Sequence, residues 1–263
     1  MQLSIKTPVT DIIKTTIMKL PKISSWLMML FAGTAITACS KEAPVAHTAV
    51  ITIANAMGGA YNIQFAEASS NELLTYNISR RYSSHTGSFR FTPFLLDEST
   101  YEPVKPSLYQ LNIPVEPNSI QTLFMAGNLH QPDTFLVKDE PLSFAIEDSS
   151  MSFRFVNLSP GSTPVSVNLQ GAINGSEVSS LAYKSITAFR KYKADAGISQ
   201  YIFEFRDAAS GELLTTFPVY GINAAGNENA PNLWRRRNFT IVFNGNPGTA
   251  QEWPQTAFIV NYN

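Results

Sequence analysis

The residue whose surroundings say most about chemistry is Cys39, the only cysteine in the 263-residue chain. A single thiol excludes an internal disulfide framework and a zinc site built from several thiolates. Cys39 ends an uncharged apolar run, residues 27–38, which is preceded by Lys14, Lys19 and Lys22. A basic segment, a short apolar segment and small residues before a cleavage point are typical of a secretory signal. We therefore predict that residues 1–38 are a signal peptide, with Met18 as an alternative start.

The four residues Ile36-Thr37-Ala38-Cys39 resemble the lipobox of bacterial lipoproteins. This resemblance implies that Cys39 is acylated and becomes the N-terminus of the mature chain. Several acyl chains on one residue hold a protein stably on a membrane. The apolar run itself is too short to span a bilayer, which needs about 20 apolar residues. The alternative is an ordinary buried cysteine that happens to follow an apolar segment.

The residues after Cys39 bear on location. Position 40 is Ser40 rather than the aspartate that retains some lipoproteins in the inner membrane, so we expect an outer-membrane lipoprotein. The Lys41-Glu42 pair resembles short tags that direct some lipoproteins to the cell surface, although Ala43 stands where a second acid is usual. A surface-exposed and a periplasm-facing anchor both stay open.

Catalytic and metal-binding patterns do not stand out in the sequence. His47, His85 and His130 lie far apart, and no nucleophile elbow, His-Glu-x-x-His, P-loop or dinucleotide pattern occurs. Carboxylate pairs such as Asp97-Glu98 carry little weight in a chain with 20 acidic residues. The acids from Asp133 to Asp148 lack EF-hand spacing, and a solvated acidic linker is the preferred interpretation. We therefore expect no catalytic residues, no metal and no cofactor.

One surface feature could bind a partner, the run Trp234-Arg235-Arg236-Arg237. Guanidinium groups form bidentate contacts with anionic groups, and Trp and Arg dominate many interfaces. The interpretation we favour is simpler: a solvated loop whose charges discourage edge pairing of the next strand. Residues 47–149 carry a net charge of −6 and residues 150–263 a net charge of +2.

The elements that would position these residues are short strands. Period-two alternation and β-propensity recur in segments such as 50–53, 121–125, 165–169 and 239–243. Turn signals such as Gly58-Gly59, Pro160-Gly161 and Asn244-Gly245 separate the segments. We predict an all-β fold of two tandem immunoglobulin-like antiparallel β-sandwiches.

An internal repeat supports two units. Residues 51–56 are echoed by residues 153–158, residues 123–128 by 241–246, and residues 134–137 by 257–260. The predicted organisation is a signal peptide at 1–38, a tether at 39–47, a first β-sandwich domain at 48–145 and a second at 150–263.

The second unit resembles a known family. Residues 153–167, from Phe153 through Asn157-Leu158-Ser159-Pro160 to Val167, are similar to the opening of the family called domain of unknown function 4397. The likeness is weaker for residues 48–140, where Met57-Gly58-Gly59 replaces the Ser-Pro step. The resemblance implies tandem immunoglobulin-like units and an envelope location, without established catalytic residues.

Three functions follow from these observations. The main prediction is a non-catalytic cell-envelope lipoprotein that binds a protein partner or a glycan. The alternative is a structural or adhesive surface subunit, and a hydrolase with an unrecognised site comes third. A net charge of −1 gives no reason to expect nucleic acid as a partner, and the membrane is expected as a partner through the lipid anchor.

Overall fold

The body of the protein is built from β-strands. The computed structural model describes residues 48–65, 73–85, 87–224, 232–248 and 252–262, and none of these residues lies in an α-helix. The all-β prediction is therefore confirmed. The predicted signal peptide and the predicted tether, which includes Cys39 and His47, lie outside the described residues.

The first half of the body, residues 48–138, contains nine strands in its described part. Their bounds are β1 Thr48–Asn55, β2 Asn62–Phe65, β3 Leu74–Thr75, β4 Ser79–His85, β5 Gly87–Phe91, β6 Pro93–Leu95, β7 Leu111–Val115, β8 Ile120–Asn128 and β9 Gln131–Lys138. The second half, residues 150–262, follows after the strand-free segment 139–149. Its strands are β10 Ser150–Asn157, β11 Val165–Leu169, β12 Val178–Leu181, β13 Ser185–Ile186, β14 Arg190–Lys193, β15 Gln200–Asp207, β16 Leu213–Tyr220, β17 Asn238–Asn244 and β18 Thr256–Asn261.

The two halves share one strand arrangement in their central sheets. The order is β4-β1-β8-β9 in the first half and β13-β10-β17-β18 in the second, where β14 also pairs with β10. In each sheet the first strand of the half runs parallel to a late strand, with Val50 opposite Ile120 and Ser152 opposite Asn238. The sequence predicted antiparallel sandwiches, so these two parallel pairs are a departure from that prediction. Parallel pairing requires a long connection, and long stretches of chain separate the paired strands here.

Each central sheet is buried on both faces. Ile51 and Leu123 of the first sheet face a core shared with β2, β3, β5 and β7, and Phe153 and Ile241 of the second face a core shared with β11, β15 and β16. The alternate residues of both sheets meet in a third core, which we call the shared core. Its buried apolar members are Ala54, Ala56, Phe124, Ala126, Val156, Leu158, Val242, Phe258, Val260 and Tyr262. Through this core residues 46–263 form one compact unit.

Matching asparagines fix the corner after the first strand of each half. Asn55 accepts a hydrogen bond from the Met57 amide at 3.1 Å and donates one to the Ala60 carbonyl at 2.7 Å. Asn157 accepts from the Ser159 amide at 3.0 Å and donates to the Leu181 carbonyl at 3.0 Å. The sequence echo between the halves thus corresponds to the same local hydrogen bonding.

The four central strands β1, β8, β10 and β17 run in one direction. Thr122 of β8 and Thr240 of β17 both contact the Tyr262 hydroxyl, while the Asn244 amide at the end of β17 donates to the Ala56 carbonyl at 3.2 Å. We call the end at which these strands begin the lower end and the opposite one the upper end. The lower end therefore carries Thr48 together with the segment 139–149 and the loop 232–237.

Candidate functional surface and the interface behind it

The predicted binding loop is held rigidly at the lower end by Asn232. The Asn232 side-chain oxygen accepts hydrogen bonds from the backbone amides of Trp234 at 2.8 Å and Arg235 at 2.9 Å. Its amide nitrogen donates to the Ile222 carbonyl at 3.1 Å. An asparagine that bonds the backbone two and three residues ahead is a common way to fix a turn. The orientation of the following side chains is therefore set by this residue.

Trp234 faces the second core rather than standing free. Its ring centroid lies 5.0 Å from that of Phe239, and the indole packs against the buried cluster around Phe153. The side chain is only partly exposed. An indole in this position closes one end of the core, so its removal would lower stability as well as any binding. Its binding role stays a prediction.

The three arginines that follow join different parts of the lower end. Arg235 donates from Nε to the Ala194 carbonyl at 2.7 Å, while Arg236 donates from its backbone amide to the Ser150 carbonyl at 2.7 Å. The exposed guanidinium of Arg236 also bonds the Ile146 carbonyl. The Arg237 carbonyl accepts from the Ser152 amide at 2.9 Å. The loop is thus a fixed surface in which the side chains of Arg236 and Arg237 keep access to solvent.

Two apolar side chains next to this loop are strongly exposed. Ile146 is 86% exposed and Leu233 is 64% exposed. The Ile146 carbonyl is bonded to the Arg236 guanidinium. Leu233 precedes Arg236 by three residues in the chain. A partly buried Phe144 adds a further apolar group, with the Lys191 ammonium 5.2 Å from its ring centroid. Neither Ile146 nor Leu233 was singled out from the sequence, because an apolar residue in a loop carries no periodic signal.

The most tightly bound ionisable groups lie inside the shared core, where the side chains of Arg154 and Asp139 are 4% and 0% exposed. The Arg154 guanidinium bonds the Asp139 carboxylate and donates to the hydroxyls of Thr240 at 2.8 Å and Tyr262 at 2.9 Å. Thr122 donates to Asp139 at 2.6 Å. Burial raises the pKa of Asp139, with Arg154 and Thr122 acting in the opposite direction.

Asp139 corrects one interpretation made from the sequence. The acidic segment was expected to be a solvated linker, but Asp139 is buried and paired with an arginine of the second half. Asp133 and Asp148 are also engaged, with Lys184 at 3.0 Å and Lys191 at 2.7 Å. Partial burial opposes ionisation of Asp133, yet its hydrogen bonds from Lys184, the Thr134 amide and Tyr183 lower its pKa. Asp133, Asp139 and Asp148 are therefore bonded to the second half, whereas Glu140 and Glu147 are exposed.

The buried network follows the internal repeat. By the alignment of the halves, Thr52 corresponds to Arg154, Thr122 to Thr240 and Asp139 to Tyr262. Three equivalent positions on each central sheet therefore point into the shared core, where they face one another. The second half supplies the cation and the phenol, and the first half supplies the carboxylate.

A polar cleft at the upper end is a second surface that sequence reasoning missed. It has a volume of about 440 Å³ and is lined by Gly127, Asn128, Gln131, Pro132, Asp133, Pro160, Gly161 and Tyr183. The Tyr183 hydroxyl donates to Asp133 at 3.0 Å, and burial raises the pKa of that phenol. Amide and hydroxyl groups of this kind can bind a polar ligand. Two turns that line the cleft, Gly127-Asn128 and Pro160-Gly161, are visible in the sequence, but nothing there indicates that they meet.

Metal-binding clusters and membrane-spanning helices are both absent from the described residues. In these parts of the chain no three His, Cys, Asp or Glu side chains are grouped as a metal ion would require. Within the described ranges no helix has the length and apolar character to cross a bilayer. Cys39 lies outside them, so its acylation stays a prediction. The chain matches no protein-family model and no curated protein.

Proposed function

We propose that the protein is a non-catalytic lipoprotein of the outer membrane that is anchored through Cys39 and binds a protein partner or a glycan. The observation that carries this proposal is the run from residue 27 to Cys39, in which an apolar segment ends on small residues and the only cysteine. Nine residues, 39–47, then lead to the first strand of the β body. The resemblance to domain of unknown function 4397 agrees with this proposal.

The construction of the body supports a binding role. The shared core and the Arg154–Asp139 ion pair join the halves into one unit. A rigid body of this kind presents its surfaces at fixed spacing, which lowers the entropic cost of binding. Two surfaces are suited to a partner: the Trp234–Arg237 loop, with its basic and apolar groups, and the polar cleft around Gln131.

The anchor is tested by lipid labelling in a bacterial host. Cells that express the full chain are grown with an alkyne fatty acid, and the protein is recovered from membranes for intact-mass measurement. We expect label on Cys39 and the mass of a chain that begins there with its acyl chains. Cys39→Ser abolishes the label, whereas the neighbouring Ser40→Ala keeps it. A free Cys39 thiol on the membrane-extracted protein would refute the anchor.

Binding is tested by photo-cross-linking in intact outer membranes together with a glycan array. We expect one envelope protein or one class of glycan to be retained. A partner in the polar cleft loses at least fivefold in binding with Gln131→Ala, whereas a partner on the Trp234–Arg237 loop loses as much with Arg236→Ala and Arg237→Ala combined. Lys105→Ala, an exposed cation in the first half, is the control. Cross-links exclusively between copies of this chain would instead favour the structural or adhesive subunit.

Protease treatment of whole cells distinguishes a surface-exposed body from a periplasm-facing one, since the outer membrane protects a periplasm-facing body from the protease.

A further inference from the structure

The lower end of the second half combines exposed apolar and basic groups in one patch. Ile146 and Leu233 are strongly exposed, and the guanidinium of Arg236 donates to the Ile146 carbonyl. Lys193 at the end of β14 is exposed. The carbonyl of the next residue, Ala194, accepts a hydrogen bond from the Arg235 side chain, which brings the end of β14 to the loop. Single exposed leucines are common on proteins, but here two strongly exposed apolar residues belong to segments that Arg236 joins through a hydrogen bond.

The charge of this surface favours an anionic partner. Its three segments, 146–150, 190–195 and 232–238, hold six basic and three acidic residues, a net charge of +3. The ion pair of Arg190 with Glu177, which lies outside them, lowers this to +2. At the same end of the first half, Lys138 and Glu116 pair at 2.7 Å and Glu140 adds one negative charge. Outside these three segments residues 48–262 hold 8 basic and 15 acidic residues, a net charge of −7, so the lower end of the second half is the basic part of an otherwise acidic body. Basic residues beside exposed apolar groups suit the interface of an anionic bilayer.

The attachment of the tether at Thr48 limits how far a membrane could lie from the body. This argument rests on the proposed function, in which Cys39 carries the lipid. Strand β1 begins at Thr48 on the lower end, the same end as Ser150 and Asn238. The nine residues 39–47 span at most about 30 Å when fully extended. A lipid on Cys39 therefore keeps the bilayer within that distance of the start of β1. The upper end, where the central strands finish, is farther from the attachment of the tether at Thr48 by the length of those strands.

We propose that the lower end of the second half rests on the anchoring membrane, with Arg236, Arg237 and Lys193 against anionic phospholipid headgroups and with Ile146 and Leu233 inserted among them. The acyl chains on Cys39 supply the attachment and the patch supplies the orientation. The polar cleft at the upper end then faces away from the bilayer. The basic loop is thereby assigned to a lipid surface rather than to a glycan or a protein.

Two tryptophans make this orientation measurable. A chain that begins at Cys39 retains Trp234 at the lower end and Trp253 at the upper end, where Trp253 packs against Gly58. Cys39, as the only thiol, can be coupled to a maleimide lipid in vesicles of phosphatidylcholine with phosphatidylglycerol. The variant Trp253→Phe reports on Trp234 alone, and Trp234→Phe reports on Trp253 alone. Headgroup spin-labelled lipid is the quencher.

We expect the quencher to reduce Trp234 fluorescence at least twofold more than Trp253 fluorescence, and the difference to shrink in pure phosphatidylcholine or at high salt. Equal quenching of the two residues, or stronger quenching of Trp253, would overturn the proposal. Because the lipid is attached chemically, this result does not depend on acylation of Cys39 in the cell. Failure of the anchor and failure of the orientation are therefore distinguished.

Matched variants test the patch itself. Ile146→Asp and Leu233→Asp should each abolish the preferential quenching of Trp234 in anionic vesicles. Ile173→Asp and Leu213→Asp change the same residue types at sites that are 82% and 46% exposed, outside the patch, and should leave it unchanged. Thermal unfolding of each variant confirms that the body is folded. A patch that has no role in orientation would give the same quenching in all four variants.

Discussion

The carboxylate of Asp139 and the guanidinium of Arg154 form an ion pair across the shared core, the first residue coming from the segment between the halves and the second from β10. The Arg154 guanidinium carbon also lies 4.3 Å from the ring centroid of Phe189 and 5.1 Å from that of Tyr262. A buried cation held by a carboxylate, two hydroxyls and two rings has a single acceptable geometry. The pair therefore fixes the register of one half against the other.

Removing one partner of this pair should be costly. We expect Asp139→Asn to lower the free energy of unfolding by about 3–5 kcal/mol, because the Arg154 charge is left buried without its counterion. Chemical denaturation measures the loss. The double variant Asp139→Asn with Arg154→Met should lose less than the sum of the two single changes. Strict additivity would show that the two side chains do not interact in solution.

Two glycines at corresponding turns should not tolerate a side chain. Gly127 and Gly245 have φ values of 76° and 89°, and a Cβ atom would lie 2.2 Å from the Gln131 carbonyl oxygen and 2.3 Å from the Pro254 carbonyl oxygen. Alanine at either position adds a backbone clash to the left-handed strain, which alone costs about 1–2 kcal/mol. Gly211→Ala is the matched control, since φ is 76° there and nothing lies within 4 Å. Equal losses in denaturation for all three variants would contradict the close approach.

The corner asparagines should matter equally in the two halves. Asn157→Ala deprives the Ser159 amide and the Leu181 carbonyl of their partner, and Asn55→Ala does the same to the Met57 amide and the Ala60 carbonyl. Each buried group left without a partner costs about 1–3 kcal/mol. The exposed Asn112 of β7 supplies a control, for which alanine should change stability by no more than about 0.5 kcal/mol. Urea unfolding of the three variants makes the comparison.

Acid should weaken the protein through Asp207. Hydrogen bonds from the Thr163 hydroxyl and from the amide and hydroxyl of Ser210 lower the pKa of Asp207 from 3.8 to about 2. A carboxyl whose pKa is depressed on folding stabilises the fold above its unfolded value, and this contribution is lost as the pH falls from about 4 to about 2. Carboxyl-carbon NMR should show the titration midpoint near 2.

The variant Thr163→Val tests the cause of that shift. It removes the leading hydrogen bond, so the NMR midpoint of Asp207 should move upward and the loss of stability in acid should begin at higher pH. Thr216→Val, on an exposed position of β16, makes the same change away from Asp207 and should leave the midpoint in place. An unchanged midpoint in Thr163→Val would assign the low pKa to the Ser210 contacts alone.

Strands with an apolar face could be predicted from the sequence, and polar strands could not. Residues 165–169 were predicted as a strand and form β11 over the same residues, because alternating valines bury one face. Strand β4, Ser79–His85, was not predicted, since its sequence of serines and arginines carries no apolar alternation. Its place is determined by pairing with β1, a tertiary contact that local sequence does not encode.

The candidate surface was predicted in part. The loop 234–237 was identified by its charge, but Ile146 and Leu233 beside it were not, because they come from segments 87 residues apart in the chain. In the sequence, Arg154 lies between Phe153 and Phe155, a pattern that predicts a strand with Arg154 on the face toward solvent. It is buried because the second face of that sheet is covered by the other half, and a single sequence gives no sign of this packing. The same packing explains why Asp139 was misread as solvated.

The pairing of β1 with β8 also dictates the order in which the chain can become stable. Strand β1 is made first, yet Val50 finds its parallel neighbour only when Ile120 has been made, 70 residues later. Its outer face, with Ala54, waits still longer for Phe258 and Val260, which follow more than 200 residues later. Contacts of such long range are slow to form. A chain threaded through a membrane from its N-terminus would therefore stay loose, and open to chaperones and proteases, until Val260 has crossed.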